Sequence, residues 1–225
     1  MVVSTEMNKK TAILIGATGL TGGLLLNRLV LDERYVTIKI ISRRPSGNNS
    51  PKIQEYIGDV LNLESFKNDF MADEVFCCIG TTSSKTRDRN IYRAIDFGIP
   101  STAARLAREN SIPTFVVMSS LGANPKSKIF YSRTKGEMER AVLDQKISHT
   151  YILRPSLIIG KRNEKRVGER IGSVLLKLTG FFLVGRLKKY RAIEADCIAA
   201  AMINLAKSKS DMQIVNSDMI EEFGI

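Results

Sequence analysis

The apolar positions of this chain fall into short runs that alternate between two periodicities. Residues 11–15 form an apolar run closing on Gly16, and residues 20–31 follow with helix-like apolar content, so the opening reads strand, tight turn, helix. Residues 36–41 are β-branched and stop at Ser42-Arg43-Arg44-Pro45-Ser46-Gly47, which is turn chemistry. Further strands are expected at 53–57, 74–79, 114–118 and 150–153, the last halted by Pro155. Helical patterns lie at 63–70, 91–109, 131–143 and 195–207. The second of these is broken near Gly98-Ile99-Pro100, which predicts a kink or two abutting helices.

Strands regularly separated by helices predict an α/β fold: a doubly wound parallel sheet with helices on both faces. The 225 residues fit one domain spanning 1–225, with a small substrate-side region near its C-terminus. No internal repeat, low-complexity tract or interdomain linker interrupts the pattern.

Composition narrows the setting. With 44% hydrophobic and 25% charged residues the chain can bury an ordinary core without staples. Its three cysteines, Cys77, Cys78 and Cys197, form no C-x-x-C and no metal-ligand spacing, so they read as reduced thiols and no metal is expected. Residues 1–10 are polar and lack the apolar core of a secretory signal, and a cytoplasmic location is the expectation. The apolar stretch 171–184 carries Lys177 and falls short of the ~20 residues that cross a bilayer, so no transmembrane segment is expected.

Formal charge is +11, a balance that suits nucleic acid, an anionic membrane or a phosphorylated small molecule. The basic residues gather at Arg43-Arg44, at 161–166 and at 186–191. A solvated face explains the last two clusters, and a nucleic-acid partner rests on charge alone, so none is expected. The stretch 170–191 suits a substrate lid, an oligomer contact or a membrane-surface element, of which a substrate-side or partner-side surface is preferred.

Three groups of residues carry candidate chemistry. Gly16-Ala17-Thr18-Gly19-Leu20-Thr21-Gly22 lies between the first strand and first helix, where glycines let the backbone approach a pyrophosphate and the helix N-terminus offers free amides. The second expected strand ends in Ser42-Arg43-Arg44, where an NAD site would carry a carboxylate for the ribose 2′-hydroxyl. Arginine forks suit a 2′-phosphate, so NADP (NADPH) is favoured over NAD. Finally, Tyr131 and Lys135 stand four residues apart, on one face of a helix, and Ser119-Ser120 ends the strand before them. An ammonium beside a phenol favours the phenolate, which prepares the tyrosine to exchange a proton with a substrate oxygen.

In this order the motifs resemble the short-chain dehydrogenase/reductase superfamily, in its atypical or extended branch with Gly-x-x-Gly-x-x-Gly turns. Within that branch, Cys78-Ile79-Gly80-Thr81-Thr82, Ser119 to Ala123, Tyr131 to Glu137 and Arg154 to Gly160 look like the small proteins related to the Tat-interacting oxidoreductase. The resemblance implies Gly16, Thr18, Gly19, Leu20, Thr21 and Gly22 around the pyrophosphate, and Ser42, Arg43 and Arg44 around the 2′-phosphate. It further implies Asp59 and Val60 beside the adenine, and Ile79, Gly80 and Thr81 along the nicotinamide ribose. Tyr131 would be the acid/base, Lys135 would bind ribose hydroxyls and tune Tyr131, and Ser120, with Ser119 as the other possibility, would orient a substrate carbonyl. The asparagine that other members place on the helix after strand four has no match.

The expected activity is hydride transfer between NADPH and a carbonyl or alcohol substrate, with an NADPH-binding regulator or scaffold as the alternative. A homodimer is the default assembly. His149 has no recognisable partner, and Glu194 and Asp196 suit the start of a helix, so none of the three is given a catalytic role.

Overall fold

The computed structural model describes residues 9–160 and 185–225. Its strands are β1 (Lys10–Ile15), β2 (Tyr35–Ser42), β3 (Ile53–Ile57), β4 (Glu74–Cys77), β5 (Thr114–Met118), β6 (His149–Arg154), β7 (Ile158–Ile159), β8 (Ile193–Glu194) and β9 (Ile214–Asn216). All but β7 and β8 join one sheet in the order β3-β2-β1-β4-β5-β6-β9, with every pairing parallel. β7 and β8 pair with each other as a separate two-stranded ribbon.

The uninterrupted apolar runs seen in sequence follow from this layering, because a parallel sheet covered on both faces buries both sides of its strands. In β1, Ala12 and Leu14 face one core while Ile13 and Ile15 face the other. The first core is completed by α1 (Leu20–Leu31), α5 (Ala195–Ser208) and α6 (Ser217–Phe223). The second is completed by α3 (Ile99–Glu109), α4 (Phe130–Leu143) and the 3₁₀ segment Val60–Phe66. At the N-terminal ends of the central strands, buried Glu74 accepts the Tyr35 hydroxyl at 2.5 Å and pairs with Lys10, closing the end of the sheet opposite the crevice.

Several expected elements take a different local form. Segment 63–70 is a 3₁₀ turn over Val60–Phe66, capped by the Asp59 carboxylate through the Leu61 N–H at 3.0 Å. The fourth strand stops at Cys77, where Cys78 N–H still donates to the Ile15 carbonyl at 2.8 Å. The break in 91–109 is a π-helical turn, Ala94–Gly98, between α2 (Arg89–Arg93) and α3. β9 and α6 are too short to give a periodic signal, and the sequence reading misses both. The stretches 161–166 and 171–184 lie outside the described residues, while the last basic cluster begins on the 3₁₀ turn Gly185–Tyr190. Among the described residues no helix is long and apolar enough to cross a membrane, and no group of His, Cys, Asp and Glu is arranged to hold a metal.

Candidate active site

Strand order reverses between β1 and β4, and in such sheets the loops leaving the two strands diverge and open a crevice at their C-terminal ends. A cavity of about 1050 Å³ lies there, bounded by the 17–27 turn and helix, the loop after β4, the end of β5 and the first turns of α4. The glycine turn forms its floor. Gly16 has φ +94°, and a Cβ on it would stand 2.9 Å from the Cys78 carbonyl carbon. A Cβ on Gly22 would fall 2.1 Å from the Gly16 oxygen, so α1 can start this close to β1 only with glycine there. Gly19 caps α1 through its backbone, and Thr18, Gly19, Leu20 and Thr21 line the cavity, with Gly16 and Gly22 behind them. No acidic side chain occupies the first turn of α1, which leaves its amide ends and the positive pole of the helix turned toward the cavity.

At the β2 end of the cavity Arg44 forms part of the wall, and Arg43 joins it around an adjoining smaller cavity. Ser42 is buried and its hydroxyl donates to the Arg44 carbonyl at 2.7 Å, which fixes the turn that presents the arginines rather than facing the cavity itself. Asp59 and Val60 do not line either cavity: Asp59 caps its 3₁₀ turn and Val60 packs in the core. Ile79, Gly80 and Thr81 all lie on the cavity wall.

The other end brings Tyr131, Lys135 and Ser119 onto the same wall. Tyr131 is 38% exposed and faces the opening, whereas Lys135 is buried. The charge on Lys135 is met by Asp96, whose Oδ1 stands 2.8 Å from Lys135 Nζ, a contact of charges without hydrogen-bond alignment. The other oxygen of Asp96 accepts the Thr81 N–H at 2.8 Å. One fully buried carboxylate therefore ties the lysine to the loop after β4, and Gly80 leaves room beside the pair. Sequence reasoning sought an asparagine on this helix and passed over Asp96. The signal was a carboxylate four residues after Tyr92 in a helical register, directly before the Gly98-Pro100 break.

The two serines differ in their surroundings. Ser119 Oγ donates to Glu139 Oε1 at 2.5 Å, and Arg154 holds the same carboxylate through both Nε, at 2.8 Å, and Nη2. Ser120 Oγ is buried off the cavity wall, with no hydrogen-bond partner among the described residues. The cysteines carry no chemistry here: burial pushes the Cys77 thiol up to about 11 and raises that of Cys78, which keeps both protonated at neutral pH.

A family model described as NAD(P)H-binding matches residues 16–174. "Protein FMP52, mitochondrial" of Debaryomyces hansenii is 30% identical over 205 residues, covering 87% of each chain. The protein of that name from Candida albicans is 31% identical over 196 residues, 84% of this chain and 86% of its own. Among solved structures, a UDP-N-acetylglucosamine 4-epimerase from Methanobrevibacter ruminantium superposes with TM-score 0.70 at 16% identity, covering 93% of this chain and 76% of its own. Pen from Bacillus thuringiensis superposes with TM-score 0.69, also at 16% identity, over 96% and 77%. At such identities these two structures show a shared fold.

The relatives' names also correct the cytoplasmic expectation, since they point to the mitochondrion. The absence of a secretory signal argued only against export and never distinguished the cytoplasm from an organelle. With the glycine turn at the switch point and the family match beginning on Gly16, the chain belongs to the NAD(P)H-binding family, has a Rossmann-type fold and counts FMP52 proteins among its relatives.

Proposed function

We propose that this protein is an NADP-dependent oxidoreductase that interconverts a carbonyl compound and its alcohol, with Tyr131 as the acid/base. The observation that carries this reading is the shared cavity wall: the phosphate turn at one end, and Tyr131 with buried Lys135 at the other. NADPH, when bound, supplies the hydride. Thr18, Gly19, Leu20 and Thr21 would hold its pyrophosphate, Arg43 and Arg44 its 2′-phosphate, and Ile79, Gly80 and Thr81 its nicotinamide ribose. Among the described residues that line the smaller cavity there is no carboxylate beside Arg43 and Arg44, which supports the phosphorylated form over NAD.

Tyr131 gives its phenolic proton to the substrate oxygen in reduction and takes it back in oxidation. Lys135 lies one helical turn away and faces the same cavity, where its ammonium can bind ribose hydroxyls. Asp96 holds that ammonium in place. Ser119, whose hydroxyl proton is committed to Glu139, offers lone pairs to the cavity, whereas the Ser120 hydroxyl lies buried off its wall.

The test is NADPH consumption against a panel of aldehydes and ketones, with wild type and Tyr131→Phe compared on the best substrate. Loss of about 10²–10⁴-fold in kcat with unchanged NADPH binding supports the assignment. Turnover retained by Tyr131→Phe contradicts it. Intact NADPH binding with no turnover across the panel would favour an NADPH-dependent regulator or scaffold.

A further inference from the structure

The smaller cavity, about 440 Å³, is bordered by Thr18, Arg43, Arg44 and Lys85. Three of these four residues are cations and none is an acid. They arrive on three separate loops: Thr18 follows β1, the arginines end β2, and Lys85 lies beyond β4. Both β2 and β4 pair with β1, so the loops after them flank the glycine turn from opposite sides. Lys85 and Arg44 border the larger cavity as well, which places the cationic corner at one end of the proposed cofactor groove.

The loop holding Lys85 has its own internal structure. The Thr82 carbonyl accepts the N–H groups of both Lys85 and Thr86 at 2.9 Å, and the Thr81 and Thr86 hydroxyls meet at 2.9 Å. Asp88 then caps α2 by accepting the Asn90 and Ile91 N–H groups. Lys85 is thus presented from a turn whose base is Thr81, the residue held by Asp96. The guanidinium groups of Arg43 and Arg44 border the same cavity, and a phosphate dianion between them would be met by charge-assisted hydrogen bonds. Neither Arg43 nor Arg44 has an ion-pair partner among the described residues.

We infer that Lys85 is a specificity-determining residue for the cofactor, closing over the 2′-phosphoadenosine from the side opposite Arg43 and Arg44. The inference rests on the NADP reading above and adds a third cation, from a different strand loop, to the residues that separate NADP from NAD. It predicts that Lys85 acts on nucleotides carrying a 2′-phosphate and leaves those without one alone.

The probes are 2′,5′-ADP and 5′-ADP, titrated calorimetrically into wild type, Lys85→Gln, Lys85→Arg and Arg43→Ala/Arg44→Ala. Lys85→Gln should weaken 2′,5′-ADP by about tenfold or more, the size of one charge-assisted hydrogen bond, and change 5′-ADP by less than about twofold. Lys85→Arg should recover most of the loss. Unchanged melting temperatures would show that the variants are folded, as expected for an exposed side chain. Equal weakening of both probes, or none, overturns the role of Lys85. If only the arginine variant loses discrimination, the NADP reading stands without Lys85; if wild type fails to prefer 2′,5′-ADP, the NADP reading itself falls.

Discussion

Asp96 is the side chain that fixes Lys135 at the α4 end of the cavity. It is fully buried, it faces Lys135 at 2.8 Å, and it accepts the Thr81 N–H, so it joins the lysine to the loop after β4. Taking both charges out of water is costly, and what the pair adds is position more than net stability. Removing only one charge is different, because the other is left buried without compensation. Asp96→Asn keeps an acceptor for Thr81 but strands the Lys135 ammonium. It should lower unfolding free energy by about 3–5 kcal/mol, read from the denaturant midpoint at constant m-value. A midpoint unchanged from wild type would show that the charge contact contributes nothing. Tyr131 and Lys135 were legible in sequence because their spacing states a helical face. Asp96 was not, since a lone carboxylate in a helical segment gives no hint of the partner that arrives from another helix.

Among the elements, α4 carries the site, and its seating is unusually close. A Cβ on Gly136 would fall 2.2 Å from the Pro125 nitrogen and 2.3 Å from the Asn124 carbonyl carbon, both backbone atoms that have little room to yield. On the same helix Glu139 is locked by Arg154 from β6 and by Ser119 from the end of β5. Tyr131 and Lys135 are therefore held between a loop contact and a partly buried ion pair. Gly136→Ala should push α4 outward, and because a misplacement of about 1 Å can cost on the order of 10²-fold, turnover should fall by that order. Stability should fall by about 1–3 kcal/mol, as for overpacked cores. Wild-type kinetics in Gly136→Ala would show that the helix is not fixed by this contact. The sequence showed α4 through its apolar spacing, yet it showed the α2–α3 break only as a Gly-Pro interruption. The π turn there carries Asp96, whose partners Lys135 and Thr81 no local pattern contains.

For the molecule as a whole, the order β3-β2-β1-β4-β5-β6-β9 explains why residues distant in sequence meet in one crevice. Alternating strands and helices made the parallel sheet legible, and the glycine turn marked which loop opens at the switch point. The C-terminal strand β9 was missed because three residues carry no period. The net charge of +11 was ambiguous in sequence, but the fold gives part of it a location by gathering Arg43, Arg44 and Lys85 around one small cavity beside the phosphate turn. On the proposed function, this corner selects NADP. Its most direct test is a fluorescence titration of NADPH and NADH, at fixed ionic strength, into wild type and Arg43→Ala/Arg44→Ala. NADPH should bind at least about tenfold tighter than NADH in wild type, with the preference erased in the double variant. Equal affinity for the two nucleotides in wild type, or a preference that survives the double substitution, would contradict it.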